Sequence, residues 1–208
     1  MQTILIIDYG SQYNQLIARR VREARVFCEV APPTITLEQI RTKDQVRGII
    51  LSGGPASVYQ KDAPKLNPDY LKLGVPVLGI CYGMQALTAL LGGKVARAHS
   101  REYGHARLRV RRRRSGLFKN LPSSFDCWMS HGDHVDLAPE GFVVTADTKS
   151  TRVAAFENAE RGIYGVQFHP EVAHTEHGGA ILGNFLDLCG CDRSWTMENF
   201  IRETCQKI

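Results

Sequence analysis

Short apolar runs constrain this chain more than any other feature. Residues 4–7, 48–51 and 75–80 are almost wholly aliphatic, and each reads as a strand buried on both faces. Each gives way to turn chemistry: Asp8-Tyr9-Gly10-Ser11, Ser52-Gly53-Gly54-Pro55 and Gly79-Ile80-Cys81-Tyr82-Gly83. Between the first two, Leu16, Ile17, Val21 and Ala24 recur at helical spacing opposite Arg19, Arg20, Arg22 and Glu23, which predicts an amphipathic helix over 12–24. A β-type stretch at 26–30, a break at Pro32-Pro33, a short helix at 37–41 and a helix over 82–91 complete the first half. This order predicts an α/β fold with a largely parallel central sheet flanked by helices. In such sheets chemistry gathers where strands end at their carboxyl edge.

The middle of the chain changes character. From 94 to 156 the β-type segments are shorter and more alternating, including 106–110, 126–129 and 142–146, and predict a smaller antiparallel portion. Residues 163–168 read as a last core strand delivering His169-Pro170-Glu171, and 179–188 as a closing helix. We expect one domain over 1–190 and a C-terminal tail over 191–208. At 208 residues, 43% hydrophobic and 23% charged, the composition suits one globular domain. The net charge of +5 comes partly from Arg111-Arg112-Arg113-Arg114. That run reads as the solvated face and tip of a hairpin, because no aromatic residues interleave with it to stack bases, and no nucleic-acid partner is expected. Six cysteines without a repeated C-x-x-C spacing argue against zinc, and no metal site is expected. The start lacks a basic leader and no run reaches membrane-spanning length, so we expect a reducing cytoplasm and no membrane partner.

Cys81 stands at the bend between a predicted strand and a predicted helix, where a nucleophile would stand proud of the sheet. The helix directs free N–H groups and its positive end at the sulfur, which favours thiolate. His169, at the end of the last core strand, is the best-placed base. Pro170 holds His169 extended, so Glu171 projects to a similar side and can orient the imidazole. Gly54 would offer a backbone N–H across from that of Tyr82, forming an oxyanion hole. Neither glycine-bearing loop has the G-x-G-x-x-G spacing of a dinucleotide site.

Taken together, Ser52-Gly53-Gly54-Pro55, Gly79-Ile80-Cys81-Tyr82-Gly83-Met84-Gln85 and Gly165-Val166-Gln167-Phe168-His169-Pro170-Glu171 resemble the class I, triad-type glutamine amidotransferases. Within that family, the stretches beginning at Asp8, Arg19, Met129 and Trp195 are similar to the amidotransferase domains of glutamine-hydrolysing GMP synthetases. The resemblance implies Cys81 as nucleophile, His169 as base and acid, Glu171 as its partner, and Gly54 and Tyr82 as oxyanion donors. It places Gln85, Ser130, His131, Gly132 and Asp133 at the bound glutamine. It further implies no cofactor in this domain, and ATP and magnesium for a synthetase that turns xanthosine monophosphate into GMP. That synthetase would be a domain in cis, reached through the tail, or a separate polypeptide, and the full enzyme a homodimer. The stretch 97–107 is a candidate for the synthetase interface. Two competing readings are an amidotransferase component of another pathway and a non-catalytic binding module on the same fold.

Overall fold

Alternate residues of the first apolar run go to opposite sides of a sheet. Ile4 and Ile6 pack with Ile17, Val21 and Phe185, whereas Leu5 and Ile7 pack with Ile40, Tyr70 and Leu87. Burial on both faces is why the run carries no polar residue, and each such side chain contributes about 1.5–3 kcal/mol. The computed structural model describes residues 1–43, 45–112 and 114–206.

The chain runs β1 (Thr3–Ile7), α1 (Asn14–Glu23), β2 (Phe27–Ala31), α2 (Leu37–Arg41), β3 (Val46–Leu51), a 3-10 helix (Pro68–Leu73), β4 (Val77–Ile80) and α3 (Tyr82–Leu90). There follow β5 (Lys94–Val110), β6 (Ser124–Leu137), β7 (Val143–Asp147), β8 (Ala155–Asn158), β9 (Ile163–Val166), α4 (Gly178–Leu188) and α5 (Met197–Gln206). Among the described residues the strands form a nine-stranded sheet, ordered β2-β1-β3-β4-β9-β8-β7-β5-β6. Neighbours are parallel from β2 to β9 and antiparallel from β9 to β6. Strand β9 is therefore the seam between the two halves.

The parallel half follows the sequence expectation closely, and the α/β class holds. The antiparallel half differs in extent: β5 and β6 are 17 and 14 residues long, far beyond the expected 106–110 and 126–129. On β6, buried positions such as Phe125, Cys127 and Met129 alternate with partly exposed ones. Polar residues at every second position conceal such a strand from a search for apolar runs. The arginine run opens the connection between the antiparallel strands β5 and β6, where Arg111, Arg112 and Arg114 are exposed. Further along it Leu117 and Phe118 are buried, while Arg109 and Arg111 both pair with the largely buried Asp147. Arg113 lies outside the described residues. The tail folds back on the edge strand β2: the Trp195 amide donates to the Arg25 carbonyl at 2.9 Å, and Phe27 packs against Trp195 and Phe200.

Candidate active site

Parallel register carries the ends of β1, β3, β4 and β9 to one edge of the sheet. Ile7 aligns with Leu51, Leu51 with Gly79, and Ile80 with Val166. The three turn segments and His169 consequently meet. Cys81 caps α3 with φ 51° and ψ −105°, a conformation that costs a non-glycine residue about 1–3 kcal/mol. It is held by its amide, which donates to the Val166 carbonyl at 2.8 Å, and by the Gly83 amide, which donates to the Ser52 carbonyl at 3.0 Å. The strain thus sits on the cysteine itself. The flanking glycines serve close approach: a Cβ on Gly83 would stand 2.3 Å from the Leu51 carbonyl oxygen, and one on Gly79 would stand 2.6 Å from the Met84 nitrogen.

His169 follows β9, its amide donating to the Trp128 carbonyl at 3.1 Å. Its Nδ1 is 2.8 Å from Glu171 Oε1, and both side chains are almost wholly buried. With Nδ1–H given to the carboxylate, Nε2 is left for the cysteine. A Cβ on Gly53 would touch both His169 Cε1, at 3.1 Å, and Cys81 Cβ, at 3.6 Å, which places the two side chains side by side. Burial opposes an imidazolium here, but the Glu171 carboxylate and the Cys81 sulfur outweigh it and hold His169 well above the ordinary histidine range. Arg20 of α1, a residue with no role assigned from sequence, donates to the Glu171 carbonyl at 3.2 Å.

A cleft of about 640 Å³ opens over these groups. Its walls include Cys81, His169, Gly54, Gln85 and the 130–133 segment of β6; Tyr82 and Glu171 lie behind them. Among the described residues neither the Gly54 nor the Tyr82 amide has a hydrogen-bond partner. Gly54 packs so tightly that a Cβ would meet the Tyr9 carbonyl oxygen at 2.5 Å. Across the cleft the Cys81 thiol faces the Ser130 carbonyl at 3.7 Å. Gln85 Nε2 donates to the Asp133 carbonyl at 2.7 Å, so it braces α3 against β6. His131 is buried, with Nε2 3.4 Å from Glu102 Oε2, and Asp133 Oδ2 is buried without a partner among the described residues.

Sequence reasoning missed three residues here. Gln167 Nε2 lies 3.7 Å from Cys81 Sγ; its place two residues before His169 on one extended segment was an available signal. Tyr13 meets the His169 ring edge-on at 5.1 Å. Thr175 donates from Oγ1 to the His169 carbonyl at 2.6 Å and accepts from the Trp128 amide at 3.0 Å, contacts that no local pattern announces. Among the described residues no group of three His, Cys, Asp or Glu side chains is arranged to hold a metal ion, and no helix is long and apolar enough to cross a membrane.

Such an arrangement suits acyl transfer through a thiol. Comparison with known proteins agrees in kind. The family model for class-I glutamine amidotransferases matches residues 5–189. A glutamine-hydrolysing GMP synthase of Heliobacterium modesticaldum is 53% identical over 208 residues, all of this chain and 40% of that protein. Its counterpart in Bacillus cereus is 52% identical over 207 residues, 99% of this chain and again 40% of the relative. The chain thus spans 40% of the length of these curated relatives. Among solved structures, a Thermoplasma acidophilum protein described as one subunit of a GMP synthase superposes with a TM-score of 0.79 at 30% identity, covering 98% of both chains. A Thermotoga maritima glutamine amidotransferase shares the fold, with a TM-score of 0.65 at 22% identity over 82% of this chain and 76% of that one. The chain belongs to the class-I glutamine amidotransferases.

Proposed function

We propose that the chain hydrolyses glutamine to glutamate and ammonia, with Cys81 as nucleophile, His169 as proton carrier and Glu171 as its orienter. The observation that carries this is the buried Glu171–His169 pair set beside a strained, cleft-facing cysteine. His169 Nε2 takes the thiol proton, and the sulfur attacks the side-chain amide carbon. The Gly54 and Tyr82 amides face the oxyanion that forms. The imidazolium then protonates the nitrogen, the C–N bond breaks, and ammonia departs, leaving a γ-glutamyl thioester. Water attacks the thioester, its proton passes to His169, and glutamate leaves as the thiol is restored. Gln85, Ser130, His131, Gly132 and Asp133 form the wall that holds the substrate. No cofactor is assigned to these steps.

The ammonia passes to an ATP- and magnesium-dependent synthetase that converts xanthosine monophosphate to GMP. The longer relatives favour a synthetase in cis, and the Thermoplasma protein, described as one subunit of its enzyme, favours a separate polypeptide. The tail over 191–208 is read as the connector. We assign the chain to the cytoplasm, where a free reactive thiol persists.

A glutamine-analogue electrophile should label Cys81 and not Cys127, whose thiol burial pushes up to about 12. Ammonia release should disappear in Cys81→Ala with the circular dichroism unchanged. Labelling at Cys127, or turnover surviving in Cys81→Ala, would sink the assignment. Ammonia release with and without a GMP synthetase domain and xanthosine monophosphate tests the pathway; failure of that pair to make GMP from glutamine would redirect it.

A further inference from the structure

The β5–β6 ladder shifts register beside the cleft. Arg97 stands opposite Asp133 and Glu102 opposite His131, so the register differs on the two sides of the shift. The β6 residues on either side of this shift, Ser130 and Asp133, are the ones whose carbonyls face Cys81 and Gln85. His131 continues the core-facing series of Phe125, Cys127 and Met129 and is only 5% exposed. A polar ring left unpartnered at such a position costs about 1–3 kcal/mol. Neither ring nitrogen makes a hydrogen bond among the described residues, and the carboxylate that faces the ring is Glu102, directly across the strand pair with Oε2 3.4 Å from Nε2.

Glu102 is itself gripped. Ser150 donates to Oε1 at 2.6 Å and Thr151 to Oε2 at 2.7 Å. Those two residues belong to a turn closed by the Thr148 amide donating to the Thr151 carbonyl at 2.9 Å and the Thr151 amide donating to Thr148 Oγ1 at 3.0 Å. His131 first, and then the two hydroxyls, outweigh burial and hold the Glu102 carboxyl down at about 2. Glu102 is absent from the cleft wall, so its influence on a ligand runs through His131.

We propose that Glu102 is a positioning residue for the glutamine pocket: clamped by Ser150 and Thr151, it fixes His131 and with it the 130–133 wall at its spacing from Cys81. The inference rests on the glutaminase reading above, and it concerns binding of glutamine more than the chemical step. It turns Glu102, placed by sequence in a stretch that was a candidate for the synthetase interface, inward to the substrate.

Glutamine binding to a Cys81→Ala chain, measured by titration calorimetry, isolates this role from turnover. Adding Glu102→Ala should weaken binding about tenfold, the scale of one lost charged side-chain contact. Adding Ser150→Ala with Thr151→Val, which leaves every cleft residue in place, should weaken it about threefold, and the combination should be less than additive. With Cys81 present, Glu102→Ala should raise KM by the same factor as it weakens binding. Meanwhile kcat, and the iodoacetamide alkylation rate of Cys81 read by peptide mapping, should change by less than about threefold. Binding within about twofold of the parent in both variants, or kcat falling as far as KM rises, overturns the proposal. Glutamine binding without turnover in the unsubstituted chain would defeat the catalytic reading and leave this one standing. No glutamine binding at all would defeat both.

Discussion

Two histidine–carboxylate pairs stand at the same cleft in different halves of the sheet, one wholly buried and one with a partly exposed carboxylate, and they are built for different tasks. His169 and Glu171 lie two residues apart after β9, in contact at 2.8 Å, with the carboxylate wholly buried. His131 and Glu102 are contributed by adjacent antiparallel strands, stand 3.4 Å apart, and share the carboxylate with two hydroxyls. In the first pair the imidazole is free at Nε2 to exchange a proton with Cys81. The second carboxylate is occupied on both oxygens and serves as an anchor. Proximity of a histidine to an acid is therefore not enough to identify a proton carrier; what else the acid and the second ring nitrogen touch decides the role.

The largest expected effect separates the two histidines. His169→Ala should lower kcat by about 10²–10⁴, the scale of a lost general acid–base group. His131→Ala should act chiefly on KM, with kcat down by less than about tenfold. Steady-state ammonia release from both variants checks this, and equal losses of kcat would erase the distinction. The two acids come next. Glu171→Gln should cost one to two orders of magnitude less in kcat than His169→Ala, because the orienter assists while the base transfers protons. If Glu171→Gln and His169→Ala were equally damaging in the same assay, Glu171 would have a larger share in the chemistry than orienting it.

The pairs also differ in how far sequence could reveal them. His169-Pro170-Glu171 is local: proline fixes the extended backbone and a period of two brings both side chains to one side, so the contact follows from spacing alone. Cys81 was legible for a similar reason, since the end of a short buried strand beside glycines defines its place. What the structure adds there is that the strain falls on Cys81 while the glycines relieve crowding against Leu51 and Met84. Glu102–His131 depends on the register of two long strands across an irregularity, and register is set by tertiary pairing that no window of sequence contains. Gln85 was placed near the substrate by family resemblance, but its amide contact with the Asp133 carbonyl needed the fold. The lengths of β5 and β6 escaped notice because one face of each is partly open to solvent.

The smallest expected effect is on stability, and it separates the pairs by pH. The folded-state pKa of His169 is raised well above its ordinary 6.5, burial being outweighed by Glu171 and Cys81. Protonation then favours the folded state, so the contribution is complete below 6.5 and is lost as pH rises through the raised value. In Glu171→Gln, burial acts with less opposition and the imidazolium becomes harder to hold. The melting temperature of that variant should fall further below the unsubstituted chain as pH drops from about 8 to about 6. Glu102 has the opposite sign: its pKa is lowered from 4.5 to about 2, so its contribution is present above 4.5 and is lost as pH falls through about 2. Thermal melts of Glu171→Gln and the unsubstituted chain across the neutral range supply the test. A difference that stayed constant with pH would mean that Glu171 does not sustain a charged His169, and the contrast between the two pairs would then rest on geometry alone.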